Sequence, residues 1–349
     1  MEKITSCSFP RAGFLGNPSD GYYGKTISFA FSDFGVELTL VESKRMKFVP
    51  GVVDDATFAS PEALVRDVRL YGYYGGIRLL KAVSKRFFEY CMDHGLALPR
   101  RNFTAEYRIN IPRLVGLSGS SAICSAMLKG LMAFYEVEIP IEVRPTLCLE
   151  AERELGINCG FQDRVIQIYN GLVYMDFDRE YLEAHGYGRY ERLDPKLLGS
   201  VYIAYDANRA EESGKAHADV KRRFEARQPD IIAAMSEFAD IAEKGRAALL
   251  AGRRDELRQL VNANFDLRDK IFNVAEENRR MVMTARLSGA SAKFAGSGGA
   301  IVGTYEDDAQ YAALSASLAG IGCRTIKPVI ATKEDESRDM ESAAVWRNS

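Results

Sequence analysis

The 349-residue chain lacks the usual scaffolding of a zinc or disulfide protein. Its six cysteines, at 7, 91, 124, 148, 159 and 323, form no CxxC pair, and no histidine set stands at zinc spacing. The expectation is reduced thiols acting as small apolar side chains in a cytoplasmic protein. His94, His185 and His217 belong to no motif and read as surface or structural residues. Neither sign of charge is in excess: 46 Lys plus Arg against 48 Asp plus Glu leave −2, with no basic field for a nucleic-acid backbone or an anionic bilayer. Long apolar runs are missing as well. Ala122–Cys124 and Val329–Ala331 fall far short of the ~20 residues needed to span hydrocarbon, and Glu2, Lys3, Arg11 and Asp20 interrupt any leader-like apolar segment at the start. No Walker A loop occurs. Its nearest imitation, Ser213-Gly214-Lys215-Ala216, has Arg209 in place of the first glycine and Ala216 in place of the Ser/Thr.

What is present suits a folded globular chain. Apolar residues make up 47% and charged residues 27%, enough for a sizeable core. At about 150 residues per domain the length predicts two domains, with a boundary near 195 giving 1–195 and 196–349. Ile27–Leu40 reads as extended with a turn at Ser32–Asp33, and 103–111 alternates with the period of a half-buried strand. Ile123, Met127, Leu131 and Phe134 then recur at helical spacing, so 103–135 reads strand, tight loop, helix. Arg144–Leu155 predicts a helix ended by Gly156. Beyond a strand at 200–206, helices are expected over 231–250 and, unbroken, from 255 to about 285. A Gly-rich strand-turn-strand follows at 290–305, then a helix near 308–318 and a last strand near 324–330. The polar stretch 333–349 is expected to fray.

Four segments carry chemistry. Pro112 to Ala122 places Gly116, Leu117, Ser118, Gly119, Ser120 and Ser121 between strand and helix. The segment reads either as an ordinary N-cap after a tight turn or as a phosphate seat, since glycines there allow close backbone approach and the first turn offers free N–H groups. Gly296, Ser297, Gly298 and Gly299 form either a plain hairpin turn or a surface against which a sugar or phosphate packs. Glu150, Glu152 and Asp163 are an acidic set flanking the Gly156–Gly160 break; phosphoryl transfer needs one carboxylate for Mg²⁺ and another group for the attacking hydroxyl. Near the start, Arg11 and Asp20 stand among glycines with Tyr22 and Tyr23, and Tyr71-Gly-Tyr-Tyr-Gly-Gly76 repeats that mixture; aromatic faces with polar tips suit sugars.

Together these segments resemble the GHMP family of small-molecule kinases, whose Pro-x-x-x-Gly-Leu-Gly/Ser-Ser-Ser-Ala loop is matched by Pro112–Ala122 and whose C-terminal Gly-rich segment is matched by Lys293–Ala300. Long stretches, among them GFLGNPSDGYYGKTISFAFSDF and EAERELGINCGFQDRVIQIYNG, are similar to the glucuronate-phosphorylating members. The resemblance implies an α+β, two-domain GHMP-kinase-like fold with its active site in the interdomain cleft. It also implies ATP-dependent, in-line phosphorylation of the anomeric hydroxyl of a sugar acid, D-glucuronate first, with galacturonate, a neutral sugar, a mevalonate-like alcohol or a non-catalytic regulator as alternatives. By the same resemblance Asp163 is the catalytic base and Arg11 offsets phosphoryl charge. Residues 116–121 hold the ATP phosphates, and Glu152 holds Mg²⁺ with Ser120 or Ser121. Asp20, Gly21, Tyr22, Tyr23, Tyr74, Gln162 and Gly296–Gly299 meet the substrate. The loop is one residue longer than the family pattern: counting from Pro112 selects Ser120 for the metal, and counting back from Ala122 selects Ser121. A uronate also needs a cation for its carboxylate, for which Lys25, Arg78 and Arg108 are candidates.

Overall fold

The computed structural model describes residues 2–51, 54, 60, 61, 65, 75–157, 160–206 and 214–332. Tyr74, Cys159 and the segment 333–349 lie outside the described residues. The strands are β1 (Lys3–Ser8), β2 (Arg11–Leu15), β3 (Lys25–Ala30), β4 (Val36–Ser43), β5 (Lys47–Phe48), β6 (Asn102–Ile109), β7 (Leu172–Asp176), β8 (Arg189–Leu193), β9 (Val201–Asp206), β10 (Lys293–Phe294), β11 (Ala300–Thr304) and β12 (Cys323–Ile326). The helices are α1 (Gly76–Asp93), α2 (Gly119–Tyr135), α3 (Arg144–Glu154), α4 (Gln162–Tyr169), α5 (Arg179–His185), α6 (Gly214–Glu225), α7 (Pro229–Leu250), α8 (Arg254–Ile271), α9 (Glu276–Leu287) and α10 (Asp308–Ala319).

Three four-stranded sheets result, in the orders β1-β4-β6-β5, β2-β3-β7-β8 and β10-β11-β9-β12. The β4–β6 ladder runs from Val36↔Ile109 to Ser43↔Asn102, and its alternation sends Leu38, Leu40, Phe103 and Ala105 to a fully buried face. Helix α2 packs on β1 and β4 and against α1. Its periodic residues Ile123, Met127, Leu131 and Phe134 are all 0% exposed, each contributing about 1.5–3 kcal/mol of apolar burial. The middle sheet takes α4 against β2, β3 and β7, while α7 packs on β3. The third sheet comes from residues after 200, and β2 meets it edge to edge where Gly13 N–H donates to the Ala295 carbonyl at 2.7 Å.

One expectation fails. The helix predicted to run unbroken from 255 to about 285 is two, α8 and α9, because the chain turns extended at Phe272 (φ −106°, ψ 146°). The break buries Phe272 and Val274, and it aims α9 so that Asn278 Oδ1 accepts the Gly299 N–H at 3.1 Å. Tertiary burial overrides the helical propensity of the flanking residues.

Candidate active site

Strand β2 and helix α4 bring the first pair together. The Arg11 fork grips Asp163, Nε to Oδ1 at 2.6 Å and Nη2 to Oδ2 at 2.8 Å. Its third nitrogen, Nη1, donates to the Gly116 carbonyl at 2.6 Å and to the Ala295 carbonyl at 3.4 Å. One guanidinium therefore ties the acid to both glycine-rich segments, a bidentate geometry that lysine cannot copy. Burial alone would raise the Asp163 carboxyl. The charges of Arg11 and Arg164, with hydrogen bonds from Arg11 and Ser118, outweigh it and hold the group below the usual carboxylate range.

A second acid sits behind the loop. Ser121 Oγ lies 3.2 Å from Glu152 Oε1 and 3.1 Å from Oε2. Arg164 closes the group by an ion pair to Glu152, the two side chains being 1% and 0% exposed, and donates from Nη1 to the Gly160 carbonyl at 2.7 Å. Sequence reading missed Arg164. Its signal was a charged residue inside the apolar pattern Val165, Ile166, Ile168, a position that has to find a buried counter-charge. Of the two loop serines, Ser121 is the one that reaches Glu152. Ser121 and Glu152 offer oxygens of the kind Mg²⁺ takes, one or two carboxylates with phosphate and water completing its shell, while Arg164 already pairs with the same carboxylate. No cluster of three or more metal-ligating side chains exists among the described residues, and magnesium at a nucleotide needs none.

Asp20 lies on a single-turn 3₁₀ helix, Ser19–Tyr22, between β2 and β3. The backbone N–H of Gln162 donates to its Oδ2 at 3.1 Å and Gln162 Nε2 to its Oδ1 at 3.4 Å, while Gln162 Oε1 accepts from Ser28 Oγ at 2.8 Å. A side chain at Gly160 would put Cβ 1.9 Å from Asp20 Oδ2, so the glycine is what lets the acid sit there. Asp20 is 3% exposed, and burial, then the negative charge of Asp163, push its carboxyl up to about 7. The two acids are thus shifted in opposite directions, Asp163 toward the charged form and Asp20 toward the neutral one. The Tyr22 ring packs 4.8 Å from Phe224 of α6. Burial pushes its phenol up to about 12.

The Gly-rich turn packs directly onto the 116–121 loop. Gly116, in the left-handed region at φ +73°, packs so tightly that a Cβ would meet the Gly298 carbonyl at 2.7 Å, and a Cβ on Gly296 would meet the Gly116 carbonyl at 2.1 Å. Two buried cations hold the turn from behind. Arg268 donates to the carbonyls of Gly296 and Ser297, each at 3.2 Å, and burial lowers it to about 10. Lys293, 1% exposed, donates to the Gly13 carbonyl at 2.6 Å, Asn17 Oδ1 at 2.5 Å and the Phe294 carbonyl at 2.7 Å. Burial, then the charges of Arg268 and Arg11, depress its ammonium far below the ordinary lysine value. Sequence reading passed over both, because nothing local tells a strut from a surface cation.

Most of the expected residues converge here: Arg11, Asp20, Gly116, Ser118, Ser121, Glu152, Gln162, Asp163 and Gly296–Gly298. Tyr23 does not join them; it is 42% exposed and lies under the Arg179 guanidinium, 5.2 Å from ring centre to Cζ. Nor do the cations expected for a substrate carboxylate. Lys25 pairs with Glu243, Arg78 is exposed with Nη2 3.5 Å from the Leu155 carbonyl, and Arg108 is exposed on β6 opposite Glu37. The described cysteines are buried and form no disulfide with one another, and no helix among the described residues is long and apolar enough to cross a membrane.

Residues 78–171 match the family model for the GHMP kinases N terminal domain. The galactokinase of Lactococcus lactis, solved with galactose, superimposes with a TM-score of 0.74 at 15% identity, covering 95% of this chain and 94% of that one. The fold is that of the GHMP kinases. Two Arabidopsis thaliana proteins are far nearer in sequence. Probable glucuronokinase 2 is 48% identical over 302 residues, 84% of this chain and 82% of its own; glucuronokinase 1 is 44% identical over 301 residues, 84% and 83%. The chain belongs to the glucuronokinase family.

Proposed function

We propose that the protein is an ATP-dependent sugar-1-kinase that converts D-glucuronate to D-glucuronate 1-phosphate by direct in-line transfer. The observation that carries the mechanism is the Arg11–Asp163 pair, clamped between the N-terminus of α2 and the Gly-rich turn. Helix α2 begins without a side-chain cap, so its first N–H groups and dipole are available to the nucleotide phosphates. Asp20 and Gln162 hold the sugar hydroxyls from the opposite side.

Asp163 orients the anomeric hydroxyl. Held below the usual carboxylate range by its two arginines, it is a weak base, which suits a loose transition state in which the proton leaves late and positioning supplies most of the acceleration. Arg11 faces the charge that spreads over the transferred phosphoryl group. Glu152 and Ser121 would hold Mg²⁺, which when bound would neutralise charge on the nucleotide phosphates. The cleft lies between one half built before about residue 195 and another built after it, and works in the cytoplasm.

The test is turnover with ATP and Mg²⁺ across glucuronate, galacturonate, glucose, galactose and mevalonate, with ³¹P NMR of the product. An anomeric phosphate on glucuronate, formed far faster than on the others, is the expected result. Preference for a neutral sugar or for mevalonate would reject the substrate, and no turnover of any acceptor would favour a non-catalytic binding protein.

A further inference from the structure

Ser118 was expected among the phosphate ligands, yet its hydroxyl donates to Asp163 Oδ2. Its backbone lies in the left-handed region (φ 62°, ψ 47°), where a non-glycine residue is uncommon. Helix α4 grips it at two points, since the Ser118 carbonyl accepts from Gln167 Nε2 at 2.9 Å, one turn beyond Asp163. Gln167 is itself fully buried, and its carbonyl accepts from Lys129 Nζ at 2.9 Å. Ser121 makes the contact to Glu152, so matching the loop backward from Ala122 leaves Ser118 to a separate task.

The donors on Asp163 divide unequally. Oδ1 takes one, Arg11 Nε, whereas Oδ2 takes Arg11 Nη2 and Ser118 and has Arg164 Nη1 at 3.9 Å. A carboxylate oxygen with two good donors has little capacity left; one with a single donor keeps a lone pair. We propose that Ser118 is a positioning residue: by saturating Oδ2 and bracing it against α4, it leaves Oδ1 as the acceptor for the sugar hydroxyl. The proposal rests on the orienting role of Asp163 given above.

Ser118→Gly tests it, because glycine adopts the left-handed backbone freely, so the hydroxymethyl group is removed without straining the loop. The expected result is a melting temperature no lower than wild type, unchanged KM and Kd for ATP, and a kcat lower by about 10- to 100-fold. Ser118→Asn, which tolerates the same backbone and supplies an N–H donor, recovers part of that loss. A raised KM for ATP at unchanged kcat would make Ser118 a phosphate ligand and overturn the proposal; wild-type kcat in Ser118→Gly would overturn it too. Both variants are assayed on whichever acceptor the wild type turns over best. A different acceptor corrects the substrate and leaves the question of Ser118 intact.

Discussion

Replacing Asp20 by Asn should change how stability depends on pH, with a sign that follows from burial. The Asp20 carboxyl has an ordinary value of 3.8 and is pushed to about 7 in the fold. Between those values the folded chain holds a proton that the unfolded chain has released. Stability therefore falls as pH rises through this window and levels off above it. For this one group the linkage relation gives a loss of about 2 kcal/mol between pH 5.5 and pH 8. Asparagine is neutral throughout and keeps an oxygen to accept the Gln162 N–H, so Asp20→Asn lacks that slope. Urea unfolding of both proteins at the two pH values measures it: the wild type should lose about 2 kcal/mol more than the variant on going to pH 8. If both lose stability in parallel, the account of Asp20 as a desolvated acid beside Asp163 is wrong. Activity should move the opposite way, since an ionised Asp20 accepts sugar hydroxyls best. In the wild type kcat/KM for the sugar should rise through pH 7, whereas Asp20→Asn should lack that rise and show a KM about tenfold higher or more.

Asp163→Asn should lower kcat by at least about 10², with ATP affinity by calorimetry little changed; near-normal turnover would remove the side chain from the chemistry. Arg164→Met leaves Glu152 buried without its counter-charge and should cost about 3–5 kcal/mol by denaturant titration, while a loss under about 1 kcal/mol would show that the pair is not held as described. Gly160→Ala puts a methyl group on Asp20, so the sugar KM should rise well beyond the ATP KM; an equal change in both would mean a general distortion.

The elements were legible wherever their signal is local. The period of Ile123, Met127, Leu131 and Phe134 announces α2, because one buried stripe needs that spacing. The alternation over 103–109 announces β6, and small residues between them announce a close backbone approach. The chemistry of Arg11, Asp163, Glu152 and the loop came from motif resemblance, which carries residue identity and no geometry. The break at Phe272 was invisible, since its cause is the packing of Phe272 and Val274 and the reach of Asn278 to Gly299, all settled by distant chain.

The sequence by itself determined the kind of protein: those helices and strands whose period is local, its loops and the residue types able to move a phosphoryl group, each encoded in neighbours a few positions apart. Tertiary structure alone decided the pairings. Arg11 meets Asp163 across 152 residues, Lys293 meets Gly13 across 280, and Asp20 meets Gln162 across 142. Whether a carboxyl is held ionised or pushed toward neutrality depends on which charges and how much water surround it. Those surroundings form only when remote segments pack, and so Asp20 and Asp163, the same residue type, end with opposite shifts.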